Sequence, residues 1–261
     1  IRSSVLGRNI GVYDPATQTY SQAAFEGATF NLPLLQTLEI ICPEKRIRGE
    51  FFDPSQAPSL TTLLSYDTGW GLDIPGGTQF PSFAGNTSIN YVRLEGNNFS
   101  GNMSLTNLTN LREFYVGAND IGAITGWLNL PALEEFSISN NSNCGPDLPN
   151  FSLGSPNIKN IGCNNCDFLN YIDGSFSSST RIRSVDLQNN RFNTSTIDEI
   201  LSDLVDNYNN APRSGVIVNL KDNAPPSKIP VSIPTESTSL IQTESITVDQ
   251  DQFTEAGYFI T

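Results

Sequence analysis

Apolar and polar positions recur along this chain in one form, five times over. The stretches are Ile89-x-x-Val92-x-Leu94-x-x-Asn97-x-Phe99, Leu111-x-x-Phe114-x-Val116-x-x-Asn119-x-Ile121 and Leu133-x-x-Phe136-x-Ile138-x-x-Asn141. Ile158-x-x-Ile161-x-Cys163-x-x-Cys166-x-Phe168 and Ile182-x-x-Val185-x-Leu187-x-x-Asn190-x-Phe192 follow. Their starts lie 22 to 25 residues apart. Around the fourth and sixth positions apolar residues alternate with polar ones, which is the period of a half-buried strand. One such strand cannot bury its face alone, but stacked copies form a parallel sheet over a continuous core. At the ninth position, Asn97, Asn119, Asn141, Cys166 and Asn190, the chain must turn sharply. A buried amide there can satisfy backbone groups that leave the sheet.

Weaker copies flank the clear ones. Leu35-x-x-Leu38-x-Ile40 fits the strand, with Pro43 at the ninth position, and Leu60-x-x-Leu63 fits half of it, with Thr68 and Trp70 at the ninth and eleventh. The Gly- and Pro-rich run from Trp70 to Gly77 reads as an inserted loop. Ile197, Ile200, Leu201 and Leu204 lie at helical spacing, with Thr196 as N-cap and Glu199 three residues on. That predicts one helix near 196–208. A last strand follows in Val216–Leu220, with Asn223 at its ninth position. The expectation is an α/β solenoid of about eight coils, with a parallel concave sheet and a mostly irregular convex side. Residues 1–34 would form an N-terminal cap, 35–225 the solenoid, and 226–261 a Pro/Ser/Thr-rich trailing segment ending in a strand.

The repeated pattern resembles that of the leucine-rich-repeat family (L-x-x-L-x-L-x-x-N/C-x-L). From the helix onwards the chain is similar to the ends of such proteins from bacteria and their phages. The matching residues are Val218, Leu220, Asn223, Pro225, Gly257, Tyr258, Ile260 and Thr261. Asn97-Asn98-Phe99-Ser100-Gly101 looks like a fragment of the plant receptor-like pattern, but the plant Ile-Pro step is missing, as are the Cys-rich caps common in animal members. The resemblance implies a horseshoe that binds other molecules without catalysis, of the phage or bacterial surface kind.

Charge narrows the partners. The formal charge is −13 and histidine is absent. Nucleic acid requires a concentrated basic face, and anionic membranes attract basic segments, so neither is an expected partner. No stretch is long and apolar enough to span a bilayer.

Candidate chemistry is sparse. Cys163-x-x-Cys166 falls on two inward repeat positions, which suits structural thiols. A disulfide with Cys144, one repeat earlier, and a metal site needing two further ligands are the alternatives, and Cys42 lies in another repeat. Seven Asn-x-Ser/Thr acceptors occur, at Asn86, Asn98, Asn102, Asn107, Asn140, Asn150 and Asn193, in a chain already rich in these residues. Glu134-Glu135, Asp198-Glu199 and Asp249-x-Asp251 read as solvated charges; calcium at the last pair would need six or more oxygens. With no His base, nucleophile elbow or phosphate loop, no enzyme, no metal and no cofactor are expected.

The remaining lead is the outward strand positions, the third, fifth and seventh, which a parallel sheet presents on its concave face. There Tyr66, Tyr91, Arg93, Glu95, Glu113, Tyr115 and Glu135 cluster in the first half, whereas Ser137, Ser139, Asn160, Gly162, Asn164, Ser184, Asp186 and Gln188 make the second half small and polar. Tyrosine with arginine is the composition of a recognition hot spot. The competing reading is a cross-strand aromatic ladder that only stabilises the sheet. The expected function is recognition or assembly: a virion or bacterial surface protein binding a protein or glycan, a purely structural virion or filament subunit, or a eukaryotic secreted recognition domain.

Overall fold

The computed structural model describes residues 2–5, 13–14, 19–20, 32–40, 51–71, 75–212 and 215–227. Cys42, Pro43, the 72–74 part of the inserted loop, the Asp249/Asp251 pair and the trailing segment from 228 onwards lie outside them.

Short strands stack into one nine-stranded parallel sheet. In order they are Arg2–Val5, Thr37–Ile40, Thr62–Leu64, Tyr91–Arg93, Glu113–Tyr115, Glu135–Ser137, Asn160–Gly162, Ser184–Asp186 and Ile217–Asn219. Neighbouring coils pair without slippage, so the fourth repeat position forms one inward row: Leu38, Leu63, Val92, Phe114, Phe136, Ile161, Val185 and Val218. All eight are buried, and the residues on either side of each are at least partly exposed. This is the period-2 alternation that fixes register, since a slip of one residue would expose the whole row. A slab of aromatic rings fills the coil behind it. Phe114 and Phe136 stack at 6.0 Å, and Phe151 bridges Phe136 and Phe176 at 5.7 and 6.1 Å.

The number of coils differs somewhat from the eight expected. The sheet gains a strand because Arg2–Val5 pairs with Thr37–Ile40, while about six turns close from strand to strand, between Thr62–Leu64 and Ile217–Asn219. Trp70, read both as an eleventh repeat position and as the start of the inserted loop, takes the inward place of the former. It is fully buried, and its indole N–H donates to Ser65 Oγ at 2.9 Å.

The ninth-position residues form an internal ladder. Asn97 accepts the Gly69 N–H at 3.1 Å and donates to the Ser65 carbonyl at 2.7 Å. Asn119 accepts from Phe99 N–H and donates to Leu94 O; Asn141 accepts from Ile121 N–H and donates to Val116 O. Asn190 and Asn223 repeat the arrangement against Phe168 N–H and Cys163 O, and Phe192 N–H and Leu187 O. Each amide thereby satisfies backbone groups that the turn takes out of the sheet. Just before it, the eighth position is left-handed in every one of these coils: Asp67, Gly96, Ala118, Asn140, Asn165, Asn189 and Asp222 have φ between 51 and 65°. Asn, Asp and Gly tolerate that conformation; Ala118 does not.

The return side is more regular than expected. Thr78–Gln79, Phe99–Ser104 and Asp120–Thr125 form a second, three-stranded parallel sheet. Further along, short helical turns replace it at Trp127–Asn129 and Phe151–Gly154. The long helix runs Thr194–Asn210, and its N-cap is Asn193 rather than Thr196, since the Asn193 side chain accepts the Thr196 N–H at 3.0 Å. Ile197, Ile200, Leu201 and Leu204 are buried as the spacing predicts. Two buried polar residues fix its docking. Asp203 accepts from the Tyr171 hydroxyl and the Phe176 N–H, and Asn207 donates to the Phe176 carbonyl at 2.6 Å.

Candidate functional site

The outward face of the long sheet gathers the seven candidate residues. Each stands beside or between inward residues of the first turns, and each is half-buried. Two rows run across the strands. Tyr91, Glu113, Glu135, Asn160 and Ser184 occupy the third position, and Arg93, Tyr115, Ser137, Gly162 and Asp186 the fifth. At the seventh position Glu95 follows Tyr66 across the coils.

Contacts within the patch are specific. The Arg93 guanidinium lies 4.2 Å from the Tyr66 ring centre, and its Nε donates to Glu95 at 2.7 Å. That places the cation over the negative face of the ring while a carboxylate holds its other side. The Glu95 hydrogen bond is also what raises the Arg93 pKa further. Tyr91 and Tyr115 meet edge to face with ring centres 6.1 Å apart. The Tyr115 hydroxyl points to Glu113 at 3.4 Å. Burial first, then the Glu135 and Glu113 carboxylates, push the Tyr115 phenol well above its ordinary range. Tyr91 is raised as well, by burial, with the Arg93 charge opposing. Glu135 receives the Asn160 amide at 2.7 and 2.8 Å to its two oxygens.

Beyond Tyr115 the face becomes shallow. Ser137, Ser139, Gly162 and Ser184 offer little bulk, and Asn164 donates to Asp186 at 2.9 Å. The step from rings to small polar groups leaves the aromatic patch standing at one end of the face.

A feature that the sequence reading passed over borders this face. The second repeat position carries Arg112, Glu134 and Lys159 on successive coils, and Glu134 bridges both cations, at 3.1 and 2.7 Å. The Lys159 hydrogen bond is the first cause of the lowered Glu134 pKa. The signal was present as charges of alternating sign at one repeat position.

The other candidates fall elsewhere. Cys163 and Cys166 face inward, and the Cys166 thiol takes the ninth-position role by donating to Ile138 O at 3.3 Å. Cys144 touches it from the preceding coil, and that contact, then burial, keeps the Cys144 thiol protonated; burial does the same for Cys163. All three are free thiols. Among the described residues no group of three or more His, Cys, Asp or Glu side chains is placed to hold a metal, and no helix is long and apolar enough to cross a membrane. Of the seven Asn-x-Ser/Thr acceptors, Asn86 is buried and donates to Ala57 O, and Asn98 donates to Gly71 O. None of the seven belongs to a strand of the long sheet.

A parallel sheet in strict register, closed at its turns by a ninth-position side chain bonded to the preceding coil, decides the architecture. The fold is leucine-rich-repeat-like. No protein-family model matches the chain, and no curated protein matches it. Among solved structures it is similar to an internalin (inlF) from Listeria monocytogenes, with 16% identity and a TM-score of 0.46, over 80% of this chain and 66% of that one. It is also similar to the mouse RP105/MD-1 complex, with 14% identity and a TM-score of 0.41, over 76% of this chain and 40% of that one. The chain thus spans less than two thirds of either.

Proposed function

We propose that this protein is a non-enzymatic recognition module that binds a protein or glycan at a cell surface through its concave sheet. The observation that carries the reading is the half-buried Tyr66–Arg93–Glu95 and Tyr91–Tyr115–Glu113 constellation. Its rings and guanidinium are held in place before any partner arrives, which lowers the ordering cost of binding. Preformed tyrosine and arginine side by side are what interface hot spots are made of. An aromatic ladder serving stability alone would run along the sheet, whereas this one stops after Tyr115, where Ser137 and Gly162 continue the row.

A finer placement, as a phage tail, fibre or receptor-binding subunit or a bacterial surface protein, rests on the terminal residues Gly257, Tyr258, Ile260 and Thr261, outside the described part of the chain. The same holds for assembly through the trailing segment.

The test is an array of purified cell-surface proteins and glycans, probed with the wild-type chain and with a Tyr91→Ala, Arg93→Ala, Tyr115→Ala variant. Specific signals should fall at least about 30-fold on the variant, the scale of a lost hot spot. Signals that survive the triple change would remove the concave patch from the function.

A further inference from the structure

We infer that the occupant of the concave patch is a cationic segment of a protein, with a lysine or arginine side chain seated over Tyr91 and Tyr115 between Glu113 and Glu135. This rests on the recognition reading above and adds the chemistry of the partner.

Glu113 and Glu135 are paired positions on adjacent parallel strands, so their side chains leave the same face one strand apart. Like charges set directly opposite one another on a sheet are unfavourable. Most surfaces relieve that with a cation of their own. Here the relief is neutral: Glu113 receives a tyrosine hydroxyl and Glu135 an asparagine amide. Among the described residues, Arg93 is the one basic side chain on the face from Thr62 to Asp186, and its guanidinium is already committed to Glu95 and the Tyr66 ring. The nearby Arg112 and Lys159 are committed as well, to Glu134 on the border of the sheet. Two carboxylates are therefore left together on a half-buried surface with no cation to neutralise them.

The rings beside them match the same guest. Tyr91 pairs in register with Glu113, and Tyr115 stands between Arg93 and Ser137. Both rings are half-buried on this face and meet edge to face, and π-faces attract ammonium and guanidinium groups. Arg93 over Tyr66 already shows that geometry within the molecule. An arriving cation would meet two carboxylates and an aromatic face at once. Past the patch, Ser137, Gly162 and Ser184 leave room for the main chain of an extended segment. An acidic guest is repelled by the same groups, and the formal charge of −13 extends that selection to longer range.

The probe is a set of short capped peptides of matched length, one carrying alternate arginine and glycine, one with glutamate in place of arginine and one with glutamine. Binding is read by fluorescence anisotropy at about 0.15 M salt, where general attraction is screened beyond about 8 Å. Two charge-matched variants separate a specific seat from bulk charge: Glu113→Gln with Glu135→Gln on the face, and Asp120→Asn with Asp147→Asn away from it. The arginine peptide should bind, and the face variant should lose at least about tenfold while the distant one stays within about twofold. Equal losses in both variants, or none in the face variant, overturn the inference. A glutamine peptide or a glycan that needs Tyr91 and Tyr115 but ignores Glu113 and Glu135 overturns it too, while leaving concave recognition standing. Ligands indifferent to Tyr91, Arg93 and Tyr115 would sink both.

Discussion

Asn190 lies directly behind Cys166: the Asn190 side-chain oxygen accepts the Cys166 N–H at 3.2 Å, and Cys166 fills the same repeat position one coil earlier. The two residues do one job with unequal means. Asn190 satisfies donors and acceptors together, reaching Phe168 N–H, Cys163 O and Leu187 O as well. The thiol offers a weak donor, to Ile138 O and Asn164 O, and a weak acceptor, reached by Cys144 and the Asn141 backbone. Asn190→Ala should therefore cost about 2–4 kcal/mol, because several buried backbone groups lose their partner at once. Cys166→Ala should cost about half as much. Urea unfolding of the two variants measures the difference, and equal losses would contradict the ladder account.

Ala118 is the one residue with an apolar side chain among the left-handed eighth positions, at φ 52°. An L-residue without a local hydrogen bond to offer is strained there by about 1 kcal/mol. Ala118→Asn, the residue that Asn140, Asn165 and Asn189 already use, should raise stability by up to that amount. Thermal unfolding reads it as a higher Tm; a lower Tm would show that the neighbouring coils and not the dihedral govern this position.

Gly154 sits where two return segments touch. A Cβ there would lie 1.8 Å from the Trp127 carbonyl oxygen, an approach that backbone cannot yield to cheaply. Gly154→Ala should cost about 2–4 kcal/mol by prising Trp127–Asn129 from Phe151–Gly154. Hydrogen exchange should quicken locally at the Leu130 amide, which donates to the Gly154 carbonyl. Unchanged protection would mean the two segments part without cost.

Alkaline pH should weaken the fold. Burial and the Asp203 carboxylate raise the Tyr171 phenol far above its ordinary value of about 10. Above that value the unfolded chain sheds a proton that the folded chain keeps, so the folded state binds more protons and stability falls as pH rises. Below it the contribution is fully present. Denaturant midpoints should hold steady from neutrality to about pH 9 and decline beyond pH 10. Tyr171→Phe, though less stable throughout, should decline less steeply; identical slopes would assign the loss to other groups.

What the sequence made legible follows from which constraints repeat. Val92, Phe114, Phe136, Ile161 and Val185 must all point inward at the same repeat position, so the alternation around them exposes both strand and register. Asn97, Asn119, Asn141 and Asn190 declare the turn because few side chains can donate and accept together there. The return side carries no such repetition. Phe99–Ser104 and Asp120–Thr125 pair through backbone groups, with a register shift between Ile121 and Ile124, and their side chains lack a clean period. The cap of the long helix was missed because Asn193 and Thr196 are both capping types three residues apart, and only the bond to the Thr196 N–H separates them. As for the face, its residues followed from the strand positions, whereas the pairing of Arg93 with Tyr66 across a coil boundary depends on rotamers that no spacing encodes.

The asparagine ladder gives the molecule a direction. Asn223 serves Leu187 and Phe192, Asn190 serves Cys163 and Phe168, and Asn119 serves Leu94 and Phe99: each amide looks backwards along the chain. Trimming a coil from either side breaks the sheet hydrogen bonds to its neighbour, as between Tyr91 N–H and Thr61 O or Ser65 N–H and Arg93 O; trimming from the C-terminal side additionally strands the main-chain groups that the lost asparagine had served in the coil that remains. The two ends of the stack are not equivalent, and fraying that begins at the later end propagates inward as each coil loses the residue that closed it.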